Sequence, residues 1–428
     1  MRDTVLFVSA KPKAVQKTLL SLESHLGKEL RGVLVVEPRN KHLLEKLTSP
    51  KMQGLIINTK SSALILEKLA PIRSRILAAT CHSEALIPVY RRMLPHMPYI
   101  EGPTESSLEW ATDKLKMRQL LAAYDSSITP AFTLVSDTSE ATINKVAKKV
   151  GFPLIAKPTG LAESLLVSQC FYKKELHDVL EKSFKQIEKI YKRKNGRGSP
   201  SMLVEQMMEG SMYSVDAYVD AKGKVYTCPL VYVETGKAAG FDDFFGYKRI
   251  TPVRLKPHKQ VAAMDVAKKG IHALGLRNTT CHVELMRDED EWKIIEIGPR
   301  MGGFRHAMYE LSYGVNHSMN DVLIRANKKP VIPKRLRGYT AVMQIYPKRE
   351  GIITSITGTE KIRSVESLVK FRQRLMKGDR SRFAKNGGGP AAEVTLFNKD
   401  RSNLLADIRR VEQLLKIKAE RRKVAKKK

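Results

Sequence analysis

A chain of 428 residues, 42% hydrophobic and 28% charged, is long enough for two or three well-formed cores, which excludes a disulfide-stapled miniprotein and a wholly disordered chain. Cys81, Cys170, Cys228 and Cys281 are too scattered for a zinc cluster or disulfide framework, no stretch approaches the ~20 apolar residues of a membrane helix, and no early segment reads as a signal peptide, so we expect a cytoplasmic, membrane-free protein. The formal charge of +32 turns attention to anions.

Residues 1–105 alternate short apolar runs with amphipathic stretches. Val5-Leu-Phe-Val-Ser, Gly32-Val-Leu-Val-Val, Gly54-Leu-Ile-Ile-Asn and Arg75-Ile-Leu-Ala-Ala are strand candidates, and that rhythm predicts βαβ units around a parallel sheet. The first strand lacks a G-x-G-x-x-G, so no dinucleotide site is expected there. After Gly102-Pro103 the pattern predicts a helix over 106–124. A second unit follows, with a strand over Phe152–Lys157, a helix over Lys173–Lys192 and a loop over Lys192–Pro200. Strands at Ser201–Glu205 and Tyr213–Val219 and a helix at Gln260–Leu274 lead to the most informative segment.

That segment is His282-Val-Glu284, the charged turn Arg287-Asp-Glu-Asp, and Trp292-Lys-Ile-Ile-Glu296-Ile-Gly-Pro-Arg300-Met-Gly302-Gly303. It reads as a hairpin that sets Glu284 and Glu296 on one face. Two hard oxygen donors suit Mg²⁺, which takes one or two carboxylates and completes its octahedron with water and phosphate. Arg300 would offset the charge of a phosphoryl group in transfer. Taken alone, the pair reads equally well as solvated acids on an exposed hairpin.

Four more features precede the hairpin in order. Thr112-Asp-Lys114 opens a helix. Gly151-Phe-Pro-Leu-Ile-Ala-Lys157-Pro-Thr-Gly160-Leu-Ala-Glu-Ser164 delivers a lysine from an apolar strand into a loop of small residues. Leu203-Val-Glu205-Gln206-Met207-Met208 ends a strand on a carboxylate, and Ser214-Val-Asp216 begins the next.

This order resembles the ATP-grasp superfamily from Thr112 to Gly303, in its carboxylase and L-amino-acid ligase branch. The resemblance implies an α/β protein: a parallel-sheet domain (1–105), an ATP-grasp domain (106–330), a mixed α+β C-terminal lobe (331–415) and a basic disordered tail (416–428). It implies that Lys114, Lys157, Gly160 and Ser164 meet the ATP phosphates. Glu205 would accept from the adenine amino group, with Gln206 and the Met208 backbone beside the ring. Glu284 and Glu296 become ligands of Mg²⁺ or Mn²⁺, and Arg300 steadies an acyl phosphate. His282 reads as a packed strand residue.

Three departures from the pattern stand out: Gly298 replaces an asparagine ligand, Ala162, Leu165 and Leu166 stiffen the phosphate loop, and Met212 replaces a ribose-binding glutamate. The implied reaction joins a small-molecule carboxylate to an amine, driven by ATP; relatives in this branch are commonly dimers, which makes a homodimer one option, and the sequence does not fix the oligomeric state. The alternatives are biotin carboxylase-type chemistry and a catalytically reduced protein that binds anionic partners. Glu234–Arg254, with Phe241-Asp-Asp-Phe-Phe and Lys248-Arg249, is either a cover over the active site or a solvent-facing loop. From Lys416 to Lys428 eight basic residues face one acid, a tail that either touches polyanions or is a solvated end.

Overall fold

The computed structural model describes residues 2–161, 165–194 and 200–420. Strands β1 (Thr4–Val8), β2 (Arg31–Val36), β3 (Met52–Ile56) and β4 (Ile76–Cys81) form a parallel sheet in the order β3-β2-β1-β4. All of β1 is buried, as expected for a strand covered on both faces.

A small antiparallel sheet follows: β5 (Phe132–Val135), β6 (Leu154–Pro158), β7 (Ser168–Cys170) and β8 (Met202–Gln206), in the order β5-β8-β6-β7. Leu154, Ala156, Met202 and Val204 pack with Ile143, Val146, Leu176 and Leu180 of the helices Glu140–Lys149 and Lys173–Lys194. Two-residue alternation therefore sends Ile155, Lys157, Leu203 and Glu205 to the opposite face.

The chain then makes β9 (Ser211–Val219), β10 (Val225–Thr227), β11 (Val231–Thr235), β12 (Gly246–Thr251), β13 (Thr279–Asp288), β14 (Glu291–Gly298), β15 (Tyr339–Ile345), β16 (Gly351–Thr357), β17 (Leu368–Gln373), β18 (Arg380–Ser381), β19 (Ala392–Asn398) and β20 (Lys416–Glu420). A nine-stranded sheet runs β14-β13-β9-β11-β12-β15-β19-β17, with β10 on β9. Val215, Ala217, Cys281, Val283 and Leu285 bury one face of it against the helices Lys114–Tyr124 and Pro257–Ala273. The other face presents Ser214, Asp216, His282, Glu284 and Glu296 in register.

Two local expectations need correction. The helix expected over 106–124 is two helices, Glu105–Trp110 and Lys114–Tyr124, because Asp113 turns its carboxylate onto the Leu115 and Lys116 amides and starts a new N-terminus. The tail expected to be disordered from Lys416 opens with β20, which pairs antiparallel with β16. Its alternation Lys-Ile-Lys-Ala-Glu sets Ile417 against the core containing Ile362 and Leu415, and the charge density of the segment hides that period. Residues 421–428 lie outside the described residues. The helix expected to end at Lys192 runs to Lys194, and 195–199 of the expected loop also lie outside. Among the described residues no helix is long and apolar enough to cross a membrane.

Truncation after Leu415 should therefore lower the thermal midpoint, costing roughly 1 kcal/mol for the lost partial burial of Ile417 alone. Truncation after Glu420 should leave the midpoint unchanged. Equal midpoints for the two truncations in a melting experiment would show that β20 contributes nothing.

Candidate active site between the small and the large antiparallel sheet

Lys157 and Glu205 share the face of the small sheet opposite the helices Glu140–Lys149 and Lys173–Lys194. Glu205 is 3% exposed, and its carboxylate accepts from Arg118 Nε at 2.8 Å and Nη2 at 3.0 Å and pairs with Lys157 Nζ at 2.7 Å. Arg118, on the helix Lys114–Tyr124, also donates Nη1 to the Ile294 carbonyl and Nη2 to the Ile295 carbonyl, at 2.9 and 2.7 Å. One guanidinium thus ties β8 of the small sheet to β14 of the large one. Burial opposes the Glu205 charge, but Arg118 and Lys157 outweigh it and hold the carboxyl at about 2. Burial pushes the Lys157 ammonium below its usual value, with Glu205 opposing. Two cations against one acid leave this buried cluster one positive charge in excess, a ready seat for phosphate.

Across the cleft, Glu284 and Glu296 are direct register partners on β13 and β14, each with a side chain about one-third exposed at 32%. Lys114 reaches between the sheets: its Nζ donates to the Leu161 carbonyl at 2.6 Å and lies 3.3 Å from Glu296 Oε1. Burial works against the Glu284 charge, yet His282, Arg300 and Arg305 keep its carboxyl below the ordinary range. Two adjacent, accessible carboxylates fit Mg²⁺, which fills its remaining positions with water and phosphate oxygens.

Beside the acids lies a buried polar knot. Asp216 is fully buried and accepts from the Gly302 amide at 2.7 Å, with His282 Nδ1 at 2.6 Å and His317 Nε2 at 2.7 Å. His317 Nδ1 meets Tyr218 Oη at 2.5 Å. Burial opposes the Asp216 charge, and the two imidazoles more than offset it, so its carboxyl falls far below the usual range. Gly302 must be glycine, because a Cβ would come within 2.4 Å of His282 Nδ1. The knot fixes the turn after Arg300. That arginine pairs with Glu84 of the parallel-sheet region at 2.6 Å, and its Cζ would lie 3.3 Å from a Cβ at Gly298. The guanidinium therefore folds over the place where a side-chain ligand at 298 would begin.

The structure brings Lys114, Lys157, Glu205, Glu284, Glu296 and Arg300 around one cleft but alters two expected roles. Both Glu205 oxygens are engaged by Lys157 and Arg118, because strand alternation puts Glu205 and Lys157 on one face. Its carboxylate is the lysine's counter-ion and not an open acceptor for adenine. The Gly160 amide, expected on phosphate, donates to Tyr191 Oη at 2.8 Å. Ser164 lies outside the described residues. Gln206 and Met208, with Phe152, Met286 and Lys293, line a cleft of about 390 Å³ between the small sheet and the hairpin. Sequence reasoning passed over the roles of Arg118, Asp216, Arg305 and His317. Asp216 stood inside a quoted motif and Arg118 just beyond one, on the helix expected over 106–124, and their partners lie 101 and 87 positions away.

Because the folded Glu205 carboxyl sits at about 2, below its ordinary 4.5, its contribution to stability is complete above pH 4.5 and disappears as pH falls through about 2. Glu205→Gln should destabilise the protein by about 3–5 kcal/mol at neutral pH, leaving Arg118 and Lys157 without a counter-ion. It should also flatten the acid limb of a denaturation profile. An acid limb identical to wild type would remove Glu205 from this role.

Residues 150–307 match the model of the ATP-grasp domain. An alanine–anticapsin ligase of Bacillus amyloliquefaciens is 25% identical over 326 residues, 70% of this chain and 66% of that protein. An uncharacterized protein of Sinorhizobium fredii is 23% identical over 281 residues, 65% of this chain and 55% of its own length. The chain thus spans between about half and two thirds of these two relatives. The solved structure of an L-amino acid ligase from Bacillus licheniformis superposes with a TM-score of 0.73 at 17% identity, over 98% of this chain and 99% of that one. The family match spans the Lys157 strand, the Glu284–Glu296 hairpin and the Arg300 turn, so residues 150–307 are similar to the ATP-grasp domain.

Proposed function

We propose that this protein is an ATP-dependent carboxylate–amine ligase that forms an acyl phosphate. The observation that carries the reading is the opposition of two clusters across one cleft: the Glu284–Glu296 pair on the large sheet and the Arg118–Glu205–Lys157 cluster, with its excess positive charge, on the small one. Likeness to an alanine–anticapsin ligase and to the fold of an L-amino acid ligase supports the choice of amine as acceptor.

In this reading Lys157 and Lys114 hold the ATP phosphates, and the cleft beside Met208 takes the adenine ring. Glu284 and Glu296 would hold Mg²⁺, which would neutralise phosphate charge and orient the γ-phosphoryl group. A substrate carboxylate oxygen attacks the γ-phosphorus, the bond to the β–γ bridging oxygen breaks, and ADP leaves with the electron pair. Positioning and charge neutralisation dominate such a step, so no protein nucleophile is required. The amine nitrogen then attacks the acyl carbon, phosphate departs with the C–O pair, and the amine loses a proton. Arg300 serves the transferred phosphoryl group, and Glu84 together with the Gly302 turn presets its guanidinium.

A screen of carboxylates and amines for Mg²⁺- and ATP-dependent phosphate release tests the reading. Release that needs both an acid and an amine is expected, and release with neither contradicts it. Arg300→Ala should then lower kcat by on the order of 100-fold while ATP affinity stays near wild type. Equal loss of affinity and rate would make Arg300 a ground-state phosphate clamp.

A further inference from the structure

The sheet face that carries Glu284 and Glu296 continues to β12. Register runs from Glu296 through Glu284 and Ser214 to Val231, and from Val233 through Arg249 to Val342. Val231 and Val233 share a face by alternation, so Arg249 stands on the face of the two acids. Strands β9 and β11 separate β12 from β13, about 14 Å across the sheet.

Arg305 fills the interval. It is 2% exposed, donates Nη2 to Ser214 Oγ at 2.5 Å and Nη1 to the Gly303 carbonyl at 3.0 Å, and keeps a buried Nε with no hydrogen-bond partner. Arg249 is partly buried, donates Nη1 to Gln344 Oε1 and to the Gly246 carbonyl, both at 2.9 Å, and lies 5.3 Å from the Phe304 ring centroid. Its guanidinium folds so closely over Gly246 that a Cβ there would come within 2.2 Å of Nη2. Burial, with the Arg305 charge adding to it, pushes Arg249 down to about 10.

Among the described residues neither guanidinium has a carboxylate within ion-pair distance, whereas Arg118, Arg300 and Arg325 each have one. Glu284 acts on both arginines only from beyond ion-pair distance, and two neighbouring cations drawn from water with no paired carboxylate are costly unless an anion completes them. The planar guanidinium fork matches a carboxylate. Arg300 already serves the phosphoryl end of the cleft, so these two arginines are free for a different anionic group.

We propose that Arg249 and Arg305 bind a substrate carboxylate other than the one being phosphorylated. It is either the α-carboxylate of an amino-acid acceptor or a second carboxylate on the donor acid. The proposal rests on the ligase reading above and names its substrate class: at least one substrate carries an acidic group that is retained in the product.

The test compares L-amino acids with their carboxamides, and monocarboxylic with dicarboxylic acids of matched length, on the full chain with Mg²⁺. Phosphate release is followed with ATP, and thermal shift with a non-hydrolysable analogue. The wild type should prefer the charged member of one set. Arg249→Gln should raise its KM roughly 10- to 100-fold, as for loss of a charged hydrogen bond, and Arg249→Lys should recover part of the loss. Loss confined to the amino acids assigns the acceptor, and loss confined to the diacids assigns the donor. An Arg305→Lys variant gives an independent reading if Arg249→Gln fails to fold.

Equal use of charged and neutral members by the wild type overturns the proposal. So does a preference that survives in the variants, or a loss that falls on the nucleotide analogue instead. If no pair releases phosphate, the ligase reading fails. The thermal shift then decides the pocket: stabilisation by carboxylates over amides that is lost in Arg249→Gln sustains it, and no such stabilisation ends it.

Discussion

The site depends on one buried contact, the grip of Arg118 on Glu205. The helix carrying Arg118 packs against the large sheet, while Glu205 belongs to the small one. Through the Ile294 and Ile295 carbonyls the same guanidinium touches the backbone just before Glu296. Cleft width, the position of Lys157 and the footing of Glu296 are therefore set by a single side chain. A buried pair of this kind gains little net stability over a well-packed apolar replacement. Its value here is positional, because it leaves a positive charge facing the acids.

A second constraint acts on the other side of the acids. Asp216 gathers His282, His317 and the Gly302 amide, and so couples β9, β13, the turn after Arg300 and the helix His317–Arg325. A neighbouring cluster ties that helix to the parallel-sheet region. Asp321 accepts from Thr80, lies 3.0 Å from His82 and 3.3 Å from Arg325, and Arg325 donates to Tyr90 Oη at 3.0 Å. With Glu84 on Arg300, these contacts make the parallel-sheet region a wall of the site as well as its neighbour.

The sequence was most legible where chemistry and local period coincide. The Glu284–Glu296 hairpin announced itself through alternation and a charged turn, and its register needed only the strand period. Lys157 was legible because an apolar strand delivers it to a turn. Arg118 and Asp216 were visible as residues but not as roles, since their partners are distant in the chain and burial decides their charge. Glu205 was misjudged because face assignment, not motif order, pairs it with Lys157. The strand Lys416–Glu420 was hidden by its lysines, because charge suggests solvent while only pairing with β16 defines a strand. Lys248-Arg249 stood out in the sequence, yet nothing local told whether Arg249 faces solvent or the acids.

The central claim is that Glu284 and Glu296 hold a metal that seats nucleotide phosphate against Lys157. Calorimetric titration of a non-hydrolysable ATP analogue, with and without Mg²⁺, on wild type and on Glu284→Gln and Glu296→Gln tests it most directly. The account predicts that wild type binds far more tightly with Mg²⁺ and that each variant loses most of that dependence. No binding heat at millimolar nucleotide and saturating Mg²⁺, or a Mg²⁺ dependence unchanged in both variants, would contradict it.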